Sequence, residues 1–277
     1  MGFHNCQKKI GRGTPCRHIF MSKRHGQGRG KRMYHFFVNP DQIGESAIRI
    51  LGPDVNHMKN VLRMGAGEQI LISNGVDKDY LCEVVEVASS EVTAKILSVE
   101  EGGVELPARL YLFQGLPKGD KMELIIQKAV ELGVYRIIPV ETKRTVVRLD
   151  KKKEESKLRR WRAVSESAAK QSKRLIIPEV AGIMTFQEAL AFAEELDMTV
   201  IPFEHAKDMA KTKEILSGIK PAMSAGIFIG PEGGFEDSEM ELAERFGAKQ
   251  ITLGKRILRT ETAGLAILSV LAFQLED

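Results

Sequence analysis

The sequence predicts an α/β protein: a parallel sheet with helices on both faces, preceded by a small β domain. Two observations carry this. Residues 33–104 hold short period-2 segments broken by turn residues, whereas residues 105–277 alternate strand-like and helix-like segments. Strands separated by helix-length connections pair in parallel and place helices on the sheet faces.

In the first part, Tyr34–Val38 reads as a strand and His57–Leu62 as a short helix. Gly65-Ala66-Gly67 is a turn before the strand Gln69–Ser73, and Asn74-Gly75 is a strong hairpin signal. Tyr80–Val87 and Val92–Val99 are strands split at Ser89-Ser90, and Gly102-Gly103 marks a boundary. In the second part, Ala108–Phe113 is a strand, and Asp120 with Glu123 resembles a capping box opening a helix that Gly133 stops. Tyr135–Val140 is a strand and Lys152–Gln171 a long helix. Thr185 and Glu188 open the next helix, and Thr199–Phe203 and Gly226–Ile229 are buried-type strands. Ser238 and Glu241 cap a helix ending at Gly247, Gln250–Leu253 is a strand, and Thr260 caps the final apolar helix.

The net charge of +4 conceals a division. Nine of the 41 Lys/Arg and none of the 37 Asp/Glu lie in residues 1–32, which leaves residues 33–277 at −5. Residues 1–32 lack hydrophobic periodicity and read as a basic, disordered extension. The favoured origin is a start codon upstream of Met33 or Met21; the other is a basic arm for RNA. His4, His18 and His25 are irregularly spaced, and Cys6, Cys16 and Cys82 lack metal-ligand spacing, so no metal is expected. The cysteines suit a reducing cytoplasm. No stretch of about 18 apolar residues is present to span a membrane, and no signal peptide is visible. A local cluster stands out at residues 143–174, with thirteen Lys/Arg, four Asp/Glu and a net +9. Such a patch suits RNA phosphates.

Ligands of open α/β sheets bind at the carboxyl ends of the strands. Three loops qualify. Ile201-Pro202-Phe203-Glu204 ends one strand. Gly230-Pro231-Glu232-Gly233-Gly234 ends the next; its glycines permit close backbone approach, and Glu232 disfavours a phosphate. It suits a ligand with hydroxyls and a positive charge. The third loop, Leu253 to Ala263, carries Ile257 and Leu258, apolar residues fit to cover a flat apolar ring, and then Arg259 and Glu261.

These residues resemble the ribosomal RNA small subunit methyltransferase E family. The resemblance lies in Gly230-Pro231-Glu232-Gly233-Gly234, in Leu253-Gly254, and in Ile257-Leu258-Arg259-Thr260-Glu261-Thr262-Ala263. Gln127 to Gly133, Glu166 to Ser172, Phe36-Phe37-Val38, His57 and Val61-Leu62-Arg63 extend it, and it runs from Met33 to the C-terminus. It implies a SPOUT domain at 105–277 with a C-terminal trefoil knot, and a PUA-like β-barrel at 33–104 that holds RNA. It implies a cytoplasmic homodimer that uses S-adenosyl-L-methionine (SAM) to methylate N3 of one 16S rRNA uridine in the small subunit. By motif, Ile201, Pro202, Gly230, Pro231, Glu232, Gly233, Leu253, Gly254, Ile257, Leu258 and Arg259 contact SAM. Arg259 stabilises charge and Glu261 orients or accepts a proton. His35, His57, Arg63, Lys170, Gln171 and Arg174 are the RNA candidates, although His35 departs from the basic residue usual at its place. The alternatives are a methyltransferase for another rRNA or tRNA base and a non-catalytic RNA-binding assembly factor. A nucleotide-phosphate enzyme is disfavoured by Glu232.

Overall fold

A computed structural model describes residues 33–101, 104–147 and 149–276. The expectations for residues 1–32, for the Gly102-Gly103 boundary and for Arg148 fall outside the described residues.

Five strands form the first sheet: β1 (Tyr34–Phe37), β2 (Ala47–Leu51), β3 (Gln69–Ser73), β4 (Lys78–Val87) and β5 (Glu91–Glu101). Their order is linear, β1-β3-β4-β5-β2, with β1–β3 parallel and the other pairs antiparallel. The period-2 pattern puts Phe36, Ile48, Ile50, Ile70, Ile72, Cys82 and Val92 on one buried face. The β3–β4 hairpin closes on Asn74, whose Oδ1 accepts the N–H groups of Val76, Asp77 and Lys78 at 2.9, 3.0 and 3.1 Å. Strand β2 was not foreseen; it is five residues long and only Ile48 and Ile50 signal its inner face. Where a single short helix was expected at His57–Leu62, α1 (Pro53–Asn56) runs into one π-turn, His57–Val61. Cys82 is a free thiol whose pKa burial pushes up to about 12, so it stays protonated.

The second sheet is parallel throughout. Its elements are β6 (Arg109–Gly115), α2 (Lys121–Glu131), β7 (Arg136–Glu141), α3 (Lys151–Ser172), β8 (Glu179–Val180), β9 (Met184–Thr185), α4 (Phe186–Ala193) and β10 (Met198–Pro202), followed by α5 (Met209–Ser217), β11 (Ser224–Ile229), α6 (Asp237–Arg245), β12 (Lys249–Ile251) and α7 (Thr260–Leu275). The order is β12-β10-β11-β6-β7-β8, with β9 also on β7. Alternate residues of each strand feed two cores. Leu110, Leu112 and Ile227 join Ile126, Trp161 and Leu268 of α2, α3 and α7. Phe113 and Phe228 point the other way, stack at 4.3 Å, and meet Leu190 and Met240 of α4 and α6. Each such buried side chain contributes about 1.5–3 kcal/mol. No described helix is long and apolar enough to cross a membrane.

Several helix starts differ from the sequence reading. Asp120 sits at the N-cap of α2 but makes no side-chain cap bond; Glu123 instead pairs with Arg160 at 2.7 Å. Helix α6 begins at Asp237, and the buried Glu239 carboxylate accepts the N–H of Glu236 at 2.9 Å. Arg259, not Thr260, is the N-cap of α7. The Thr185–Glu188 box does form.

Polar contacts of α3 and the chain just after it join the sheets. Ser73 Oγ donates to Leu175 O at 2.7 Å. Lys170 bonds Asp54 at 3.0 Å and Glu166 at 2.9 Å. The Arg174 guanidinium is 3 % exposed; it donates to Val130 O and Val134 O, both at 2.9 Å, and pairs with Glu105. It is a structural tie from the end of α3 to the end of α2 and to Glu105, not an RNA contact, because it is buried and Nε, Nη1 and Nη2 all bond inside the protein. Removing Arg174 leaves the partly buried Glu105 carboxylate without its cation and the Val130 and Val134 carbonyls without a donor, a loss at the lower end of the roughly 3–5 kcal/mol for a fully buried pair. Arg174→Met is therefore expected to lower unfolding free energy by about 3 kcal/mol, measured by urea titration. A normal midpoint with weakened RNA binding would restore the surface role.

Candidate active site

The carboxyl ends of β10, β11 and β12 surround one cavity of about 600 Å³, within the range of small-molecule sites. Pro202, Phe203 and Glu204 form one wall, residues 230–235 a second, and residues 252–260 a third.

The glycine loop follows β11 and folds on itself. Gly234 N–H donates to Pro231 O at 2.9 Å, with Gly234 at φ +67°. The loop also leans onto the end of β6. A Cβ on Gly115 would sit 2.7 Å from Pro231 N and Cδ, so no other residue fits there without displacing the loop. Thr260, the first residue of α7, pins the loop from the far side. Its Oγ1 donates to Gly230 O at 2.7 Å and accepts from Gln114 Nε2 at 2.9 Å. Arg144, from the chain after β7, donates to Gly233 O at 2.7 Å. Two strands and two loops are thus locked at one point.

The charges are paired across the cavity edge. Glu232 accepts the Lys118 N–H at 3.1 Å and the Lys121 ammonium at 2.7 Å. Burial opposes its charge, but these bonds outweigh burial and hold its carboxyl below the ordinary glutamate range. Lys121 also lies 3.6 Å from Glu261, and Arg259 lies 3.9 Å from the other oxygen of Glu261.

Most of the residues assigned to SAM by resemblance converge here. Pro202, Gly230, Pro231, Glu232, Gly233, Leu253, Gly254, Ile257, Leu258 and Arg259 all border the cavity. Gly254, at φ +100°, needs glycine. Ile257 is 92 % exposed and leaves an apolar side chain for a ligand to cover. The cavity therefore fits SAM in kind: close backbone approach, an apolar wall for a flat ring, and carboxylates opposite a cation. Ile201 is a correction. It is fully buried against Phe113 and Phe228, because strand alternation turns it to the α4–α6 face, one residue before the wall begins. Glu261 is a second. It stands behind Lys121 and does not border the cavity.

The RNA candidates divide. His57, Arg63 and Gln171 are exposed. Lys170 is half-buried in its two ion pairs; burial works against its charge, and Glu166 and Asp54 overcome that and keep its pKa raised. His35, with its side chain 2 % exposed, faces Asp79 at 3.5 Å and packs on Phe37. It is interior, and its RNA assignment is withdrawn with that of Arg174. The sequence reading missed Gly115, Gln114, Arg144 and Lys121. The detectable signal was Lys121, a cation in a first helical turn, where the helix dipole disfavours one.

Comparison with known proteins agrees with this geometry. The RNA methyltransferase domain family matches residues 104–272, and the RNA methyltransferase PUA domain matches residues 50–97. Ribosomal RNA small subunit methyltransferase E of Bacillus subtilis (strain 168) is 36% identical over 247 residues, covering 88% of this chain and 96% of that protein. Its namesake in Mesomycoplasma hyopneumoniae (strain 232) is 33% identical over 86% of this chain and 98% of that protein. A solved structure of the enzyme of that name from Neisseria gonorrhoeae, bound to S-adenosyl methionine, is 31% identical with a TM-score of 0.75. It covers 87% of this chain and 97% of that one. Because Gly115 sets the loop position, Gly115→Ala is expected to weaken SAM binding by about 5- to 150-fold, from about 1–3 kcal/mol of overpacking. Calorimetric titration measures this, and unchanged affinity would contradict it.

Proposed function

The chain belongs to the ribosomal RNA small subunit methyltransferase E family and is a SAM-dependent rRNA methyltransferase; we propose that its target is ring nitrogen N3 of one uridine of 16S rRNA. The observation behind the methyl-transfer reading is the cavity at the strand ends, where the family's glycine and Leu-Gly motifs meet Arg259 and Thr260; the N3 target follows from the family. SAM supplies the electrophilic methyl group. Glycines 230, 233 and 254 let the backbone close on it, and Pro202, Phe203, Ile257 and Leu258 exclude water from its ring. Arg259, with its side chain 82 % exposed at the rim, meets the incoming nucleotide. Positioning of a base flipped from its stack accounts for much of the rate.

In this reading residues 105–277 form a SPOUT methyltransferase domain and residues 33–104 a PUA-like RNA-binding domain, working in the cytoplasm on the small subunit. The path of the last segment supports a trefoil knot. The chain leaves edge strand β12, passes residues 252–259 over the strand ends, and returns as α7 against β6, β11 and α2. RNA phosphates meet the exposed bases of α3, among them Lys151, Lys152 and Arg159, with His57, Arg63 and Gln171 alongside. A homodimer is supported by α7 itself, which leaves Phe273 87 % and Val270 51 % exposed on an apolar helix.

Two measurements test this. With labelled SAM and small subunits lacking the modification, label is expected in N3-methyluridine after digestion to nucleosides; label in another nucleoside would overturn the uridine assignment. Phe273→Glu is expected to shift the sedimenting species from dimer to monomer. A wild-type chain that sediments as a monomer would dismiss the dimer.

A further inference from the structure

We propose that Lys121 is a catalytic residue of this methyl transfer: clamped by Glu232 and Glu261, its ammonium donates a remaining N–H to a carbonyl oxygen of the target base. This rests on the uridine reading above.

Lys121 is the first residue of α2 and borders the cavity. A cation there opposes the positive end of the helix dipole, so helix stability does not explain it. Two carboxylates do hold it, Glu232 at 2.7 Å and Glu261 at 3.6 Å. Glu232 is itself anchored by the Lys118 N–H. The hydrogen bond that Lys121 donates to Glu232 is the largest cause that raises its pKa above the ordinary lysine value. The group therefore serves as a charged donor and not as a base. An ammonium carries three N–H bonds; one serves Glu232, Glu261 lies at ion-pair distance without a hydrogen bond, and donor capacity is left for a ligand.

The other cations at the cavity are placed differently. Arg144 is committed to Gly233 O. Lys255 and Arg256 are exposed, and Arg259 has its nearest carboxylate at 3.9 Å. A donor fixed before the reaction stabilises developing charge more than one that must be ordered during it. Lys121 is the one held between two carboxylates. Glu261 acts through it: its Oε2 is buried without a hydrogen-bond partner, and its charge faces the ammonium. Glu261 is thus a positioning residue and not the proton acceptor.

The chemistry follows from uracil. Its N3 carries a proton at neutral pH and lies between two carbonyl groups. The N3–H bond breaks, the proton passes to water, and the electron pair spreads onto the flanking oxygens, where the Lys121 N–H stabilises it. N3 then bonds the methyl carbon as the carbon–sulfur bond breaks. Uridine and SAM become 3-methyluridine, S-adenosylhomocysteine and a proton.

The test is single-turnover methylation of small subunits at saturating SAM, with SAM affinity measured separately. Wild type, Lys121→Met, Lys121→Arg and Arg259→Ala are compared from acidic to alkaline pH. The target nucleotide is uridine or 5-fluorouridine, whose ring N–H is more acidic. Lys121→Met is expected to slow transfer to uridine by about 10²-fold at neutral pH. That deficit shrinks at alkaline pH and with 5-fluorouridine, Lys121→Arg recovers part of the rate, and the Arg259→Ala deficit responds to neither. A Lys121→Met deficit that is constant across pH and base acidity, or none at all, overturns the proposal while leaving the uridine reading intact. Wild-type label in a base other than uridine overturns that reading and this role with it.

Discussion

The site depends on a steric and hydrogen-bonded crossing at the end of the central strands. Gly115 ends β6 and lies directly beneath Pro231, with no room for a Cβ. Above it, Thr260 ties Gly230 O to Gln114, the residue that precedes Gly115. Three segments far apart in sequence therefore meet within a few ångströms: the end of β6, the glycine loop after β11, and the first turn of α7. Two walls of the cavity, the glycine loop and residues 252–260, take their place from that junction, while the Pro202–Glu204 wall is set by β12 through Phe203 N–H to Ile251 O at 3.0 Å. The loop of residues 252–259 is held at one end by β12 and at the other by Thr260. The glycines are the residues that let the backbones close to this distance.

The chain from 33 onward is net acidic, and much of its basic cluster is spent internally: Arg174 on Glu105, Lys170 on Asp54 and Glu166, Arg160 on Glu123, Arg144 on Gly233 O. The lysine and arginine pairs of α3 and its end tie it to α1, to α2 and to Glu105, and Arg144 ties the chain after β7 to the glycine loop. A local excess of positive charge in sequence thus overstates the free charge on the surface. The exposed remainder of α3 is what RNA would meet, and its binding should weaken with salt.

Much of the architecture was legible because it rests on local periodicity. Val200, Ile227 and Leu112 lie in runs that only a buried strand accommodates, and Gly133 and Gly247 end helices at φ +86° and +78°. The glycine, Leu-Gly and Arg-Thr-Glu motifs were legible because close approach restricts residue choice. Features set by distant partners were not. Ser238 and Glu241 have the spacing of a cap, yet Glu239 takes that work because its carboxylate also receives the Lys143 N–H at 2.8 Å. Thr260 looks like a helix cap and instead bonds across the site. Arg174 looks like a surface cation, and its partners lie at residues 105, 130 and 134. Ile201 differs from the wall residue Pro202 only by which side of a strand it occupies. Lys121 gains its meaning from Glu232 and Glu261, more than a hundred residues away.

The central claim is that the three loops at the strand ends form the SAM site. Amide hydrogen exchange of the full chain with and without SAM tests it most directly. Added protection is expected, confined to residues 202–204, 230–234 and 252–260, with the strands of the first sheet unchanged. Protection elsewhere, or no change at those loops under saturating SAM, would contradict it.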